Sequence, residues 1–135
     1  MARQITLDSR EKIEIVNSDG DVTGFFWWNP TDFDIAKRCE KVLEFFDNFK
    51  MPDGEEENKL FEMTDQVKQQ FNFLLDSKDA ADELFQCNPF TLREDGTLFC
   101  EYVLEVLVQY IESEMNRRIE RSSNKVKKYT DKYTK

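Results

Sequence analysis

Two spacings of apolar residues divide the chain. Up to Trp28 they recur at every second position, and beyond it at threes and fours. RQITLD at 3–8 sets Ile5 and Leu7 on one side, and KIEIV at 12–16 sets Ile13 and Ile15 inward with Glu14 outward, so each predicts a short strand. The intervening turn formers, NSDGD at 17–21, predict a hairpin, with Asp19-Gly20 supplying the positive-φ position. The return strand VTGFFWW is aromatic on both faces, Phe26 and Trp28 on one, Phe25 and Trp27 on the other. A sheet with one face in water normally alternates apolar with polar residues. Either helices cover both faces, or one aromatic face meets a partner.

Asn29-Pro30-Thr31-Asp32 reads as a helix start, with Asn29 capping ahead of Pro30 or Thr31 capping one turn later. Ile35, Cys39, Val42, Phe46 and Phe49 then form a core-facing stripe, while Phe33 and Phe45 lie off it and widen the apolar surface. The breaker cluster Met51-Pro52-Asp53-Gly54 predicts a stop near Lys50. Glu55–Glu57 opens a second helix carrying Leu60, Met63, Val67, Phe71 and Leu74, and Thr64 is a place for a kink or break. Ser77 and Asp79 start a short helix through Ala80, Ala81, Leu84 and Phe85 that Asn88-Pro89 ends. FTLREDGTLF is a loop or small hairpin around Asp95-Gly96. The last helix carries Cys100, Leu104, Leu107, Ile111 and Met115, and Ile119, Ser122, Val126, Tyr129 and Tyr133 extend it with a weak seven-residue pattern. The predicted fold is α+β, mainly α: an N-terminal β-hairpin or small antiparallel sheet followed by three to four amphipathic helices.

Composition adds a core and a charge asymmetry. The chain of 135 residues has 12 phenylalanines, whose large rings supply buried area despite 35% charged residues. Residues 116–135 hold eight Lys/Arg against Glu120 and Asp131, a balance of +6; since the whole chain is −9, the other 115 residues carry −15. Apolar density drops near residue 117, so residues 1–117 read as one domain and 118–135 as a basic helical or frayed tail. An acidic body repels phosphates, which argues against its binding nucleic acid, and together with the basic tail it favours head-to-tail contacts between copies. No apolar run approaches the roughly 18 residues of a membrane span, and MARQITLDSREK has no secretory core, so the expectation is a cytosolic protein without a membrane partner.

Candidate chemistry is sparse. The chain has no histidine, which removes the commonest general base and metal ligand, and Cys39, Cys87 and Cys100 lack paired spacing. Asn17-x-Asp19-x-Asp21 opens like a calcium loop but has Val22 at the sixth position and Trp28 at the twelfth, so a hairpin turn is the better reading. Four scattered glycines form no phosphate or dinucleotide loop. The expectation is no catalytic residue, no metal and no cofactor. The aromatic quartet at 25–28 is either core alone or core on one face and contact on the other. One helical layer covers one face, so a second copy or a client is expected on the other. The candidate protein-interaction residues are Phe25, Trp27, Trp28, Phe33, Phe45, Tyr129 and Tyr133.

The order of elements resembles tail assembly chaperones of siphophages and Gram-positive prophages, and the run GFFWWNPTDFDIAKRCEKVLEFF resembles a group of Firmicutes prophage proteins encoded among tail genes. The resemblance covers most of the chain but rests on no diagnostic residue. It implies a protein of the bacterial host cytoplasm that self-associates and binds the tape measure protein, or another tail protein, without entering the virion. The competing expectations are an acidic adaptor or inhibitor that mimics nucleic acid, and a structural tail-completion protein.

Overall fold

The alternating segments either side of the Asn17–Asp21 turn pair as an antiparallel hairpin, β1 (Glu11–Val16) with β2 (Val22–Trp28). Lys12 stands opposite Trp27 and Ile13 opposite Phe26, with a register irregularity between Ile15 and Val16. Asn17 organises the turn: its Oδ1 accepts from the N–H groups of Asp19 and Asp21, each at 3.0 Å, and its carbonyl accepts from Gly20. Gly20 sits at φ +89°, where a side chain would be strained. The computed structural model describes residues 2–49 and 57–133, with side chains described up to residue 123 apart from 57 and 58.

Residues 3–8 do not form the expected strand. Ile5 is 84% exposed and Leu7 88%. Alternation supplies a pattern but no partner, and just before β1 the Asp8 carboxylate accepts from the Arg10 backbone N–H and holds its guanidinium. That pairing keeps the Asp8 carboxyl down at about 2.

Four helices follow among the described residues: α1 (Ile35–Asp47), α2 (Glu57–Leu75), α3 (Ala80–Leu84) and α4 (Phe99–Tyr133). The chain is therefore α+β and mainly α. α1 begins later than its sequence signals suggest. Pro30 is buried, and residues 29–34 form turns in which Asp32 accepts from Asp34 through its side chain and from Ile35 through its carbonyl. Burial of the proline ring thus turns the chain before the helix can start. Asn48 closes α1 by donating its backbone N–H to the Glu44 carbonyl, near the predicted stop.

α2 runs through Thr64 without the expected break. The Thr64 hydroxyl donates to the Leu60 carbonyl at 3.0 Å, a bond made inside the helix and not a new cap. The start signals at Glu55 and Glu56 and the breaker cluster at 51–54 lie outside the described residues. Beyond α2, Ser77 Oγ accepts from the N–H groups of Asp79 and Ala80, and Asn72 Oδ1 accepts from Ala81 at 2.8 Å, so α3 starts where predicted. Gly96, at φ +87°, allows the tight turn that lets Leu92 bridge Leu98.

The core is an aromatic ladder between helices. Phe71 meets Phe46 at 6.1 Å and Phe85 at 4.9 Å, both edge-on, and Phe85 continues to Phe99. Such pairs add to burial because ring edges and faces carry opposite partial charge. Val67, Leu74, Cys100 and Val42 fill the spaces between them. Arg38 ties α1 to the end of α2, its Nε donating to the Leu74 carbonyl at 3.3 Å and its guanidinium standing 3.6 Å from Asp32. α4 passes residue 117 without a backbone break, and Arg118 still reaches the body through Glu11 and Thr31.

Candidate protein-interaction surface

β2 presents its rings as strand geometry requires, two inward and two outward. Phe26 and Trp28 are buried, whereas Phe25 is 45% and Trp27 46% exposed. The outer rings lie under cations of their own chain, Lys12 Nζ 4.5 Å from the Phe25 ring and the Arg10 guanidinium 5.7 Å from Trp27. Such contacts shield a ring in part while leaving its edges open. Trp28, named as a contact residue from the sequence, belongs instead to the core. It stacks on Tyr110 of α4 at 5.8 Å and is 1% exposed. Its Nε1 has no hydrogen-bond acceptor among the described residues, a cost of about 1–3 kcal/mol that ring burial outweighs.

Three recesses adjoin one another through shared lining residues. The first, about 830 Å³, lies between α1 and α2, with Phe45, Phe49, Met63 and Phe73 as its apolar lining and Gln66 and Gln70 among its polar groups. The second, about 340 Å³, shares Phe73 with the first and continues to Asp76, Ser77 and Lys78. The third, about 410 Å³, shares those three residues and ends on Arg10, Phe25 and Trp27. Together they make a run of apolar rings, amides and paired charges from the α1–α2 groove to the outer face of the hairpin.

This run brings together three of the sequence candidates, Phe25, Trp27 and Phe45. Phe33 stands apart in the turn before α1, 79% exposed. Tyr129 and Tyr133 fall on the backbone of α4, and their side chains lie outside the described residues. Sequence reasoning missed Phe73, which joins the first two recesses at 42% exposure under Lys41 Nζ at 5.9 Å. It also missed Phe61, exposed at 67%. Both lie off the α2 stripe just as Phe45 lies off the α1 stripe, so the signal was available.

Thiol chemistry is muted at two of the three cysteines. Burial pushes the Cys100 thiol up to about 11 and raises that of Cys39, which disfavours the reactive thiolate. Cys87 is exposed, just beyond the end of α3. Among the described residues no cluster of three or more Cys, Asp or Glu is placed to hold a metal ion, and no helix is long and apolar enough to cross a membrane. Comparison with protein-family models, with curated proteins and with solved structures finds no match to this chain.

Proposed function

We propose that this protein is a non-catalytic assembly chaperone of phage or prophage tails that self-associates and binds the tape measure protein in the bacterial host cytoplasm. The observation that carries the reading is the continuous run of recesses from Phe45 through Phe73 to Phe25 and Trp27. An amphipathic client helix needs an apolar stripe to rest on and polar groups at its margins, and this run offers both. The rings take the client's apolar face, and the amides of Gln66 and Gln70 pair with polar side chains at its edge. The −15 charge of the first 115 residues keeps the loaded complex soluble while the client's own partners are absent.

Co-expression with the tape measure protein tests the reading. The tagged client is expected to retain the wild-type chain, and Phe73→Asp is expected to reduce the retained amount about tenfold or more while the variant stays folded. A client that does not co-purify with the wild-type chain would remove the proposal.

A further inference from the structure

The hairpin has one closed edge and one open edge. Along β2, α3 lies close: Gln86 Nε2 donates to the Thr23 carbonyl at 2.6 Å, and a methyl group placed on Gly24 would collide with Glu83 Oε2. Along β1, no backbone hydrogen bond leaves Glu11–Val16 for a described residue outside the hairpin. A two-stranded sheet is marginal by itself, and an uncovered edge is a template for another strand. We infer that this edge is a self-complementary interface, where a second copy of the chain adds its own β1 antiparallel across a two-fold axis to make a four-stranded sheet. The inference rests on the self-association in the proposed function and specifies its surface.

The charges on β1 choose the register. Residues directly opposite in an antiparallel pair share a face, so a two-fold axis must set one residue beside its own copy. Centred on Lys12 or on Glu14, the pairing sets like charges against each other. Centred on Ile13, it sets Ile13 against Ile13 on the inner face and Lys12 against Glu14 of the second copy, once on each side of the axis. Glu11 then falls opposite Ile15, but its charge is already paired with Arg118 at 2.8 Å. The outer face of the joined sheet carries Phe25 and Trp27 of each copy on its two flanking strands, with the Lys12–Glu14 pairs between them, so a client meets two aromatic patches on one face. The rival occupant of the edge is the strand-like segment 3–8 of a second copy, whose Ile5 and Leu7 stand exposed.

Sedimentation velocity of the full chain over a concentration series at low salt decides between them. The variants are Lys12→Glu, Glu14→Lys, the two combined, and a chain lacking residues 2–8, each checked for folding by its thermal melt. Each single substitution replaces both opposite-charge pairs with like-charge pairs and is expected to weaken dimerisation about tenfold or more. The combined variant restores the pairs in reverse and is expected to dimerise within about threefold of wild type. Deletion of 2–8 is expected to leave dimerisation unchanged. Single variants that dimerise normally, or a combined variant as weak as the singles, would overturn the inference. Loss of the dimer on deleting 2–8 would also overturn it and assign the edge to that segment. A dimer indifferent to these charges removes this interface but leaves self-association standing, whereas a wild-type chain that stays monomeric removes both.

Discussion

The two faces of β2 carry the same kind of residue and have opposite environments. Phe26 and Trp28 point at the helices, where Tyr110 stacks on the tryptophan and water is excluded. Phe25 and Trp27, each one position earlier, point away from the core and stay about half exposed, beneath Lys12 and Arg10 and beside the recess that Asp76, Ser77 and Lys78 help to line. The period of a strand places side chains on faces regardless of their hydrophobicity. An outward ring is therefore decided by whatever the rest of the chain places over it. Here the single helical layer serves one face, and the second keeps a large apolar area half in water. That asymmetry separates rings that stabilise from rings that can bind.

Substitution of the two tryptophans breaks or sharpens this contrast most strongly. Trp28→Ala removes a fully buried ring and is expected to cost about 3–5 kcal/mol in a denaturant titration. Trp28→Phe keeps much of the ring and removes the unpaired Nε1 donor, so about 2 kcal/mol or less is expected. Equal losses for the two variants would mean that ring size, not burial of an apolar body, governs the site. Trp27→Ala should cost under about 1 kcal/mol in the same titration, while co-purification of the client falls. A stability loss as large as that of Trp28→Ala would show that both faces are core and would dissolve the comparison.

Fluorescence gives a finer reading of the same difference. The chain has only two tryptophans, so Trp27→Phe and Trp28→Phe each leave one emitter. Acrylamide is expected to quench Trp27 several times more efficiently than Trp28, and client binding to protect Trp27 alone. Equal quenching of the two would contradict the assigned faces.

Much of this was legible in the sequence because local periodicity decided it. The hairpin turn, the split of rings between faces, the stripes of α1 and α2 and the start of α3 follow from residues close in the chain. The misreadings came from tertiary choices. Ile5 and Leu7 have the strand pattern, but a strand needs a neighbour to pair with. Asn29-Pro30 reads as a cap, but the proline ring is buried and the chain turns instead. Trp28 was named with Trp27 as a contact residue because the pattern shows two apolar faces without saying which one meets α4. The recess run depends on Phe73 standing near the α1–α2 groove, a proximity that spacing along one helix does not reveal.

The smallest expected effect concerns the rim of the buried face. Glu11 stands opposite Trp28 in the hairpin, and Arg118 joins it to α4 while also bonding Thr31 and Glu114. This clasp places the working boundary of the body just after Arg118, one residue later than the composition shift suggests. Deleting 119–135 is therefore expected to leave the melting temperature unchanged, and Arg118→Met in the full chain to cost about 1 kcal/mol or less, because its ion pairs are partly exposed. Acid should reproduce the loss. Hydrogen bonding from Arg117, reinforced by Arg118, holds the Glu114 carboxyl below its ordinary value of 4.5. A carboxylate depressed in the folded state stabilises above its unfolded pKa and loses that contribution as the pH falls through the folded one. Stability at pH 7 and pH 5.5 should therefore match as far as Glu114 is concerned, and the difference between wild type and Arg118→Met should shrink below about pH 4. A difference that stays constant down to pH 3 would mean that Arg118 acts through packing of its stem and not through its carboxylate partners.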